Sequence, residues 1–111
     1  MITTHILDLS IGKPAAGVRV TLARMEDSER VQVGAGVTDA DGRLKNLVPE
    51  APTLNAGVFE LTFEVGPYFA SRDIRSFYPR VTVTFEITDA KQHYHVPLLI
   101  SPFGYSTYRG S

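Results

Sequence analysis

Phe59-Glu60-Leu61-Thr62-Phe63-Glu64-Val65 alternates cleanly between apolar and polar residues and carries the strongest strand pattern of the chain. Successive side chains of a β-strand point to opposite faces, so this alternation predicts a strand with one face in a core and the other in solvent. Gly66 and Pro67 end the strand pattern, because both residues interrupt regular structure. Pro67 also suits the first position of a helix.

Weaker strand patterns lie on both sides of this stretch. They occupy residues 2–9, 18–22, 31–37, 81–87 and two short segments within 93–111 that are joined by Ser101-Pro102-Phe103-Gly104. Residues 68–77 are the one predicted helix, which ends before Pro79 because the residue preceding a proline avoids helical angles. Residues 44–56 contain two prolines and are predicted to run irregularly along an edge. Seven or eight short strands with one short helix predict an all-β sandwich.

Length and composition narrow the class of protein. The 111 residues predict a single domain, 1–111, with 43% hydrophobic and 21% charged residues, as in ordinary soluble proteins. A net charge of -1 with interspersed signs argues against a nucleic-acid or anionic-membrane partner. The absence of cysteine excludes disulfides and thiol catalysis. Since no basic and apolar leader precedes the first strand either, we expect a cytoplasmic protein.

The C-terminal strands are expected to take part in assembly. Pro97 has no N–H to donate to a neighbouring strand, which predicts that its strand lies at a sheet edge or carries a bulge. Long exposed edges pair with other copies of a chain, so we expect an oligomer. Six apolar residues could form such a contact or could instead belong to the core: Tyr94, Val96, Leu98, Ile100, Phe103 and Tyr105.

The histidines are the first candidates for chemistry. His93 and His95 are separated by one residue and therefore share a strand face. With His5 they could supply three zinc ligands and leave one position open for water. A metal-free site would instead need a histidine as general base and a cation for the oxyanion, such as Arg43 or Arg109. The pattern alone leaves both alternatives open beside ordinary structural roles.

The remaining candidate motifs, a possible calcium loop and a terminal serine, are not assigned a chemical role by the pattern alone. Asp39-Ala40-Asp41-Gly42 is read as a tight turn, in which the glycine supplies a positive φ. Glu50 would close a twelve-residue calcium loop counted from Asp39, but residues 44–49 do not resemble a loop that opens into a helix. Ser111 is a poor nucleophile candidate, because it is the terminal residue and no Gly-x-Ser-x-Gly motif is present.

Three blocks carry a family resemblance that extends over essentially the whole chain. They are Thr4–Asp8 with Gly12–Ala15, Thr38–Arg43, and Tyr94–Leu99 with Tyr105–Ser111. On these residues the chain resembles the 5-hydroxyisourate hydrolase family, the transthyretin-like enzymes of urate breakdown. The middle block is shared by many prealbumin-like domains. The ending Tyr108-Arg109-Gly110-Ser111 is specific to the hydrolases and is absent from transthyretin, the hormone carrier.

The resemblance implies a transthyretin-like (prealbumin-like) eight-stranded β-sandwich with one short helix. It also implies a homotetramer whose active sites face the channel between dimers, and a reaction without metal or cofactor. By motif position, the implied catalytic residues are His5, Arg43 and His95, and the implied substrate-binding residues are these three with Tyr108, Arg109 and Ser111. His93 is not a motif histidine and is expected to be peripheral.

The reaction that the resemblance implies is the hydrolytic opening of 5-hydroxyisourate to 2-oxo-4-hydroxy-4-carboxy-5-ureidoimidazoline. Either His5 or His95 is expected to act as general base on a water molecule. The other histidine and Arg43 would hold the reactants and stabilise the developing negative charge. Arg109 and Ser111, with its carboxylate, would line the pocket. The rival hypotheses are a non-catalytic carrier of a small aromatic ligand and a structural module of a larger surface protein.

Overall fold

The alternating segments form two β-sheets and one helix in the computed structural model, which describes residues 1–48 and 55–111. Within these residues there are nine strands, two of them only two residues long, where eight were expected. The strands are β1 (Ile2–Asp8), β2 (Lys13–Pro14), β3 (Arg19–Glu26), β4 (Glu29–Val37), β5 (Arg43–Leu44), β6 (Gly57–Phe63), β7 (Val81–Ile87), β8 (Tyr94–Ser101) and β9 (Gly104–Thr107). The helix α1 is Val65–Ser71.

The first sheet is organised around β1. Its strand order is β2-β1-β8-β9, and the short strand β5 pairs with β1 as well. β1 and β8 run parallel, with Thr3 opposite His95 and His5 opposite Pro97. β5 is antiparallel to β1 and brings Arg43 opposite His5. Residues from the start, the middle and the end of the chain therefore meet on neighbouring strands of one sheet.

The second sheet, with the order β4-β3-β6-β7, is antiparallel throughout and contributes the largest core side chains. Phe59, Leu61 and Phe63 of β6 are fully buried, which confirms the strand predicted from their alternation. They pack in the hydrophobic core with residues of the first sheet such as Ile6 and Leu98. The expected two-layer sandwich is confirmed.

The helix begins and ends earlier than predicted. It was expected over 68–77 but spans Val65–Ser71, so Val65 belongs to the helix rather than to β6. Pro67 is accommodated because the first turn of a helix needs no N–H donor there. Asp73 has a φ of 59°, a left-handed conformation that does not continue a helix. No helix of the described residues is long and apolar enough to span a membrane.

The prediction that Pro97 marks a sheet edge or a bulge is wrong, because β8 lies between β1 and β9 and neither pairing of β8 has a register shift. Tyr94 donates its N–H, and Ile100 offers its carbonyl, toward β1. By alternation the nitrogen of Pro97 points to the opposite side. There the β9 pairing reaches only to Leu98 opposite Thr107. The missing N–H of the proline thus lies just beyond the end of the ladder.

The six C-terminal apolar residues divide between the two predicted alternatives. Tyr94, Val96, Leu98 and Ile100 are buried in the core, whereas Phe103 and Tyr105 are exposed. The irregular segment predicted over 44–56 is described only in part, since residues 49–54, including Glu50, lie outside the described residues. Of the described part, Leu44 belongs to β5 and Leu47 is fully buried.

Candidate active site

The register of the first sheet gathers the predicted site residues on its outward face. Directly opposed residues of neighbouring strands point to the same face, so Thr3 accompanies His95 and His5 accompanies Arg43. Thr3 and His5 are two residues apart on β1 and therefore share that face. Thr4, between Thr3 and His5, is buried on the other face of the strand, as is the core residue Ile6. The structure thus brings His5, Arg43 and His95 together outside the core.

A closed turn sets the position of Arg43. The Asp39 carboxylate accepts the backbone N–H groups of Asp41 at 2.9 Å and Arg43 at 3.0 Å. These bonds, that from Arg43 above all, hold the pKa of Asp39 below its usual value. Gly42 has a φ of 73°, and a Cβ there would lie 2.4 Å from the carbonyl oxygen of Ile6. The predicted Asp-Gly turn is confirmed, and it delivers Arg43 to the edge of β1.

His95 is held from its backbone and from one ring nitrogen. Its Nδ1 lies 2.7 Å from Oγ1 of Thr3, and the same hydroxyl oxygen lies 2.8 Å from Nε2 of His93. Burial lowers the pKa of His95, and electrostatic repulsion from His93, His5 and Arg43 lowers it further. His95 is therefore a neutral imidazole at pH 7, the form that can accept a proton.

The C-terminal segment covers one side of the His95 ring. Gly110 donates its N–H to the carbonyl oxygen of His95 at 2.8 Å. A Cβ at Gly110 would lie 2.6 Å from Cδ2 of His95 and 3.1 Å from Cγ of Pro97. Only a residue without a side chain fits at this distance. The bond at Gly110 also brings Ser111 back over the sheet, which gives the terminal Arg-Gly-Ser a geometric role.

An open cleft of about 410 Å³ lies over this face. Its lining residues are Met1, Thr3, Thr4, Arg43, Lys45, Asn46, His93, His95 and Ser111. His5 does not line the cleft but stands beside it, opposite Arg43. Lys45 and His93 add cationic or polar groups that were not assigned to the site from sequence. His93 in particular was expected to be peripheral, yet it shares a hydrogen-bond partner with His95.

Tyr108 and Arg109, which were predicted to bind substrate, are placed elsewhere. They line a second cleft of about 370 Å³, which also contains Val83 and shares His95 with the first. The guanidinium carbon of Arg109 lies 4.5 Å from the ring centroid of Tyr94, a cation–π distance. Of the predicted substrate-binding residues, Arg43, His95 and Ser111 line the first cleft, whereas His5, Tyr108 and Arg109 do not.

Thr3 and Gly110 are site residues that sequence reasoning missed. A signal for Thr3 was present, since it lies two positions before His5 on the same strand and so on the same face. Nothing local marks Gly110. The need for a glycine there arises only when the C-terminus folds back onto His95.

The three-histidine zinc hypothesis needs a cluster of ligands. Within 1–48 and 55–111 no group of three metal-ligating side chains is found.

Comparison with known proteins identifies the family of the chain. Residues 2–110 match the model of the HIUase/Transthyretin family. The chain is 47% identical over 114 residues to 5-hydroxyisourate hydrolase of Deinococcus radiodurans, covering 99% of this chain and 95% of that protein. It is 44% identical to the structure of Klebsiella pneumoniae 5-hydroxyisourate hydrolase, with a TM-score of 0.86 and coverage of 99% and 98%.

A transthyretin structure is similar as well. Sea bream transthyretin, solved in complex with thyroxine, superposes with a TM-score of 0.91 at 32% identity and covers 98% of this chain and 93% of that chain. The whole-length match and the identities above 40% to hydrolases decide the assignment. The chain belongs to the HIUase/transthyretin family, among its 5-hydroxyisourate hydrolases.

Proposed function

We propose that the chain, a 5-hydroxyisourate hydrolase of urate degradation, opens its substrate to 2-oxo-4-hydroxy-4-carboxy-5-ureidoimidazoline with His95 as the general base. The activity is the one for which its relatives from Deinococcus radiodurans and Klebsiella pneumoniae are named. One observation carries the mechanism. His5, Arg43 and His95 meet on one outward sheet face, beside a cleft that Ser111 also lines.

His95 suits the base role better than His5. Its pKa is lowered by burial and by repulsion from neighbouring groups, which favours the neutral ring at pH 7. Nδ1 is engaged by Thr3, which leaves Nε2 for a water molecule in the cleft. A general base of this kind contributes about 10²–10⁴-fold to the rate. His5 then serves beside Arg43, in orienting the substrate.

The reaction balances with these groups alone. Nε2 of His95 removes a proton from water while the water oxygen bonds to the ring carbonyl carbon. The negative charge that develops on the carbonyl oxygen is stabilised by the Arg43 guanidinium, a contribution of about 3–4 kcal/mol for a well-aimed donor. The carbon–nitrogen bond then breaks, and the departing ring nitrogen takes the proton back from His95. The product carries a new carboxylic acid group, which loses its remaining proton to solvent and becomes a carboxylate.

Assembly into a homotetramer belongs to the same proposal. Phe77, Phe103 and Tyr108 are 69%, 71% and 60% exposed in the single chain, so three aromatic rings face solvent. Association of copies would cover it. Sedimentation velocity should then give a mass near four chains, and a monomer at micromolar concentration would contradict this part.

Ultraviolet monitoring of freshly prepared 5-hydroxyisourate tests the mechanism. The wild-type protein should accelerate its decay, and His95→Ala should remove most of the acceleration while the protein stays folded. Activity that survives His95→Ala would exclude His95 as the base. Decay unaffected by wild-type protein, together with saturable ligand binding, would favour the carrier that the sea bream similarity suggests. Loss of activity to a chelator with recovery on zinc would revive the zinc hypothesis.

A further inference from the structure

One hydroxyl group stands between two imidazole rings at the candidate active site. Oγ1 of Thr3 lies 2.7 Å from Nδ1 of His95 and 2.8 Å from Nε2 of His93. Thr3 is only 7% exposed and lies directly opposite His95 in the β1–β8 pairing. The two rings form an edge-to-face pair with centroids 6.4 Å apart, and the hydroxyl lies within hydrogen-bond distance of both.

The proton count of this link restricts the state of His95. A hydroxyl group has one hydrogen to donate and can accept bonds from other donors. If Thr3 donates to His95, then Nδ1 is the acceptor, the ring proton sits on Nε2, and Nε2 cannot take a proton from water. If Thr3 donates to His93 instead, Nδ1 of His95 must be the N–H donor. Nε2 then carries the free lone pair.

We propose that Thr3 and His93 act as positioning residues that hold His95 in its Nδ1–H form, with Nε2 free to accept a proton from water. The order of bonds is His95 Nδ1–H to Thr3 Oγ1, and Thr3 O–H to His93 Nε2. This inference rests on the proposed role of His95 as base. It deepens that role, because a catalytic histidine needs a partner on its other nitrogen to fix the tautomer.

The surroundings of the two histidines favour this order. His93 is exposed, so water can satisfy its Nδ1 whichever hydrogen it carries. His95 is half-buried between Thr3 and Gly110, and its Nδ1 has the Thr3 hydroxyl as its partner among the described residues. An acceptor on Nδ1 also stabilises the imidazolium that forms when Nε2 takes a proton. The pair therefore does for His95 what an acidic partner does in other catalytic arrangements.

Matched variants separate this role from simple packing. Thr3→Val keeps the shape of the side chain and removes the hydroxyl, whereas Thr3→Ser keeps the hydroxyl. We expect Thr3→Val to lower kcat about 10–100-fold with little change in KM, the usual loss for a partner behind a functional histidine. Thr3→Ser should retain most of the wild-type kcat. Equal activity of Thr3→Val and wild type would overturn the proposal.

A second pair tests His93 without touching a buried position. His93→Ala removes the acceptor of the Thr3 hydrogen and frees that hydrogen to bond Nδ1 of His95, so kcat should fall. His93→Gln presents a carbonyl oxygen as acceptor and should keep kcat near the wild-type value at pH 8. These variants carry the test if Thr3→Val does not fold. A His93→Ala enzyme as active as wild type at pH 8 would overturn the role of His93.

The tautomer itself is visible by ¹⁵N NMR of histidine-labelled protein, with the His95 signals assigned by their loss in His95→Ala. Wild type should show Nδ1 protonated and Nε2 unprotonated, and Thr3→Val should shift this balance toward Nε2–H. A wild-type signal with the proton on Nε2 would overturn the proposal regardless of kinetics. Failure of the mechanism itself is distinguishable, because His95→Ala would then remain active whatever tautomer wild type shows.

Discussion

His5 faces Arg43 across the antiparallel pairing of β1 with β5, on the sheet face that points away from the core. β5 has only two residues and pairs with β1, so few contacts of its own hold Arg43 in place. The turn that begins at Asp39 supplies the other contacts that hold Arg43. The Asp39 carboxylate accepts the Arg43 N–H, and Gly42 lies close to β1. The cation of the site thus depends on a local turn, while the histidines depend on long strands.

Replacing Arg43 tests the electrostatic part of the mechanism. Arg43→Ala should lower kcat about 10²–10³-fold, because it removes the donor aimed at the developing oxyanion. Arg43→Lys should recover only part of the loss, since an ammonium group lacks the planar fork of a guanidinium. The steady-state rate of 5-hydroxyisourate decay measures both variants. Arg75→Ala, at an exposed position after α1, is the matched control and should behave as wild type.

The pH dependence of kcat/KM should follow His95. Because burial and neighbouring charges lower the pKa of this group, its neutral form persists as the pH falls past 6.5, and activity is lost only at lower pH. His93→Gln removes one of the neighbouring groups that lower the pKa of His95 and should move the acid limb of the profile upward, toward 6.5. Profiles of both proteins from pH 4.5 to 8 provide the comparison. An acid limb of the wild-type enzyme centred above pH 6.5 would contradict the assignment.

Gly110→Ala should impair activity more than stability. The new Cβ would lie 2.6 Å from Cδ2 of His95, so the ring or the C-terminal segment must move. We expect a loss of kcat of about tenfold or more, as for other displacements of a positioned catalytic group, with a small change in thermal midpoint. Gly104→Ala is the matched control. A Cβ there meets nothing closer than Oγ of Ser101 at 3.6 Å, so an unchanged kcat is expected.

The part of the fold that sequence could predict is the part encoded by local alternation. The spacing of Phe59, Leu61 and Phe63 predicts both a strand and the face that it buries, and the Asp-Gly pair at 41–42 predicts a turn. The helix was placed too far along the chain because nothing local shows that Asp73 adopts a positive φ. The prediction from Pro97 was wrong for a similar reason. Whether its nitrogen faces a paired strand depends on where β9 ends, which the local sequence does not show.

The site was predictable only in outline. Spacing paired His93 with His95, but it could not choose His5 and Arg43 as partners, because their meeting depends on which strands flank β1. That choice came from the family resemblance. The roles of Thr3 and Gly110 arise from contacts between opposite ends of the chain, at the parallel pairing and at the returning C-terminus. No pattern within either segment contains that information.

Tyr68 should stabilise the fold through a buried carboxylate at the far end of β1. Asp8 has no exposed surface, and its Oδ2 accepts the Tyr68 hydroxyl at 2.8 Å. Tyr68→Phe leaves that oxygen without this donor, so we expect a loss of about 1–3 kcal/mol in the free energy of unfolding. Urea titration gives the value, and Tyr105→Phe, on an exposed ring, should change it by much less.

The same bond predicts an alkaline signature. Burial, followed by the hydrogen bond to Asp8, raises the pKa of Tyr68 from 10.0 to about 12. An acid whose pKa is raised by folding stabilises the native state fully below its unfolded pKa, and this contribution is lost as the pH rises from 10 to about 12. Tyr68→Phe has no such group, so its stability should decline less steeply over that range than that of wild type. Parallel slopes for the two proteins would show that the hydroxyl does not hold α1 to β1.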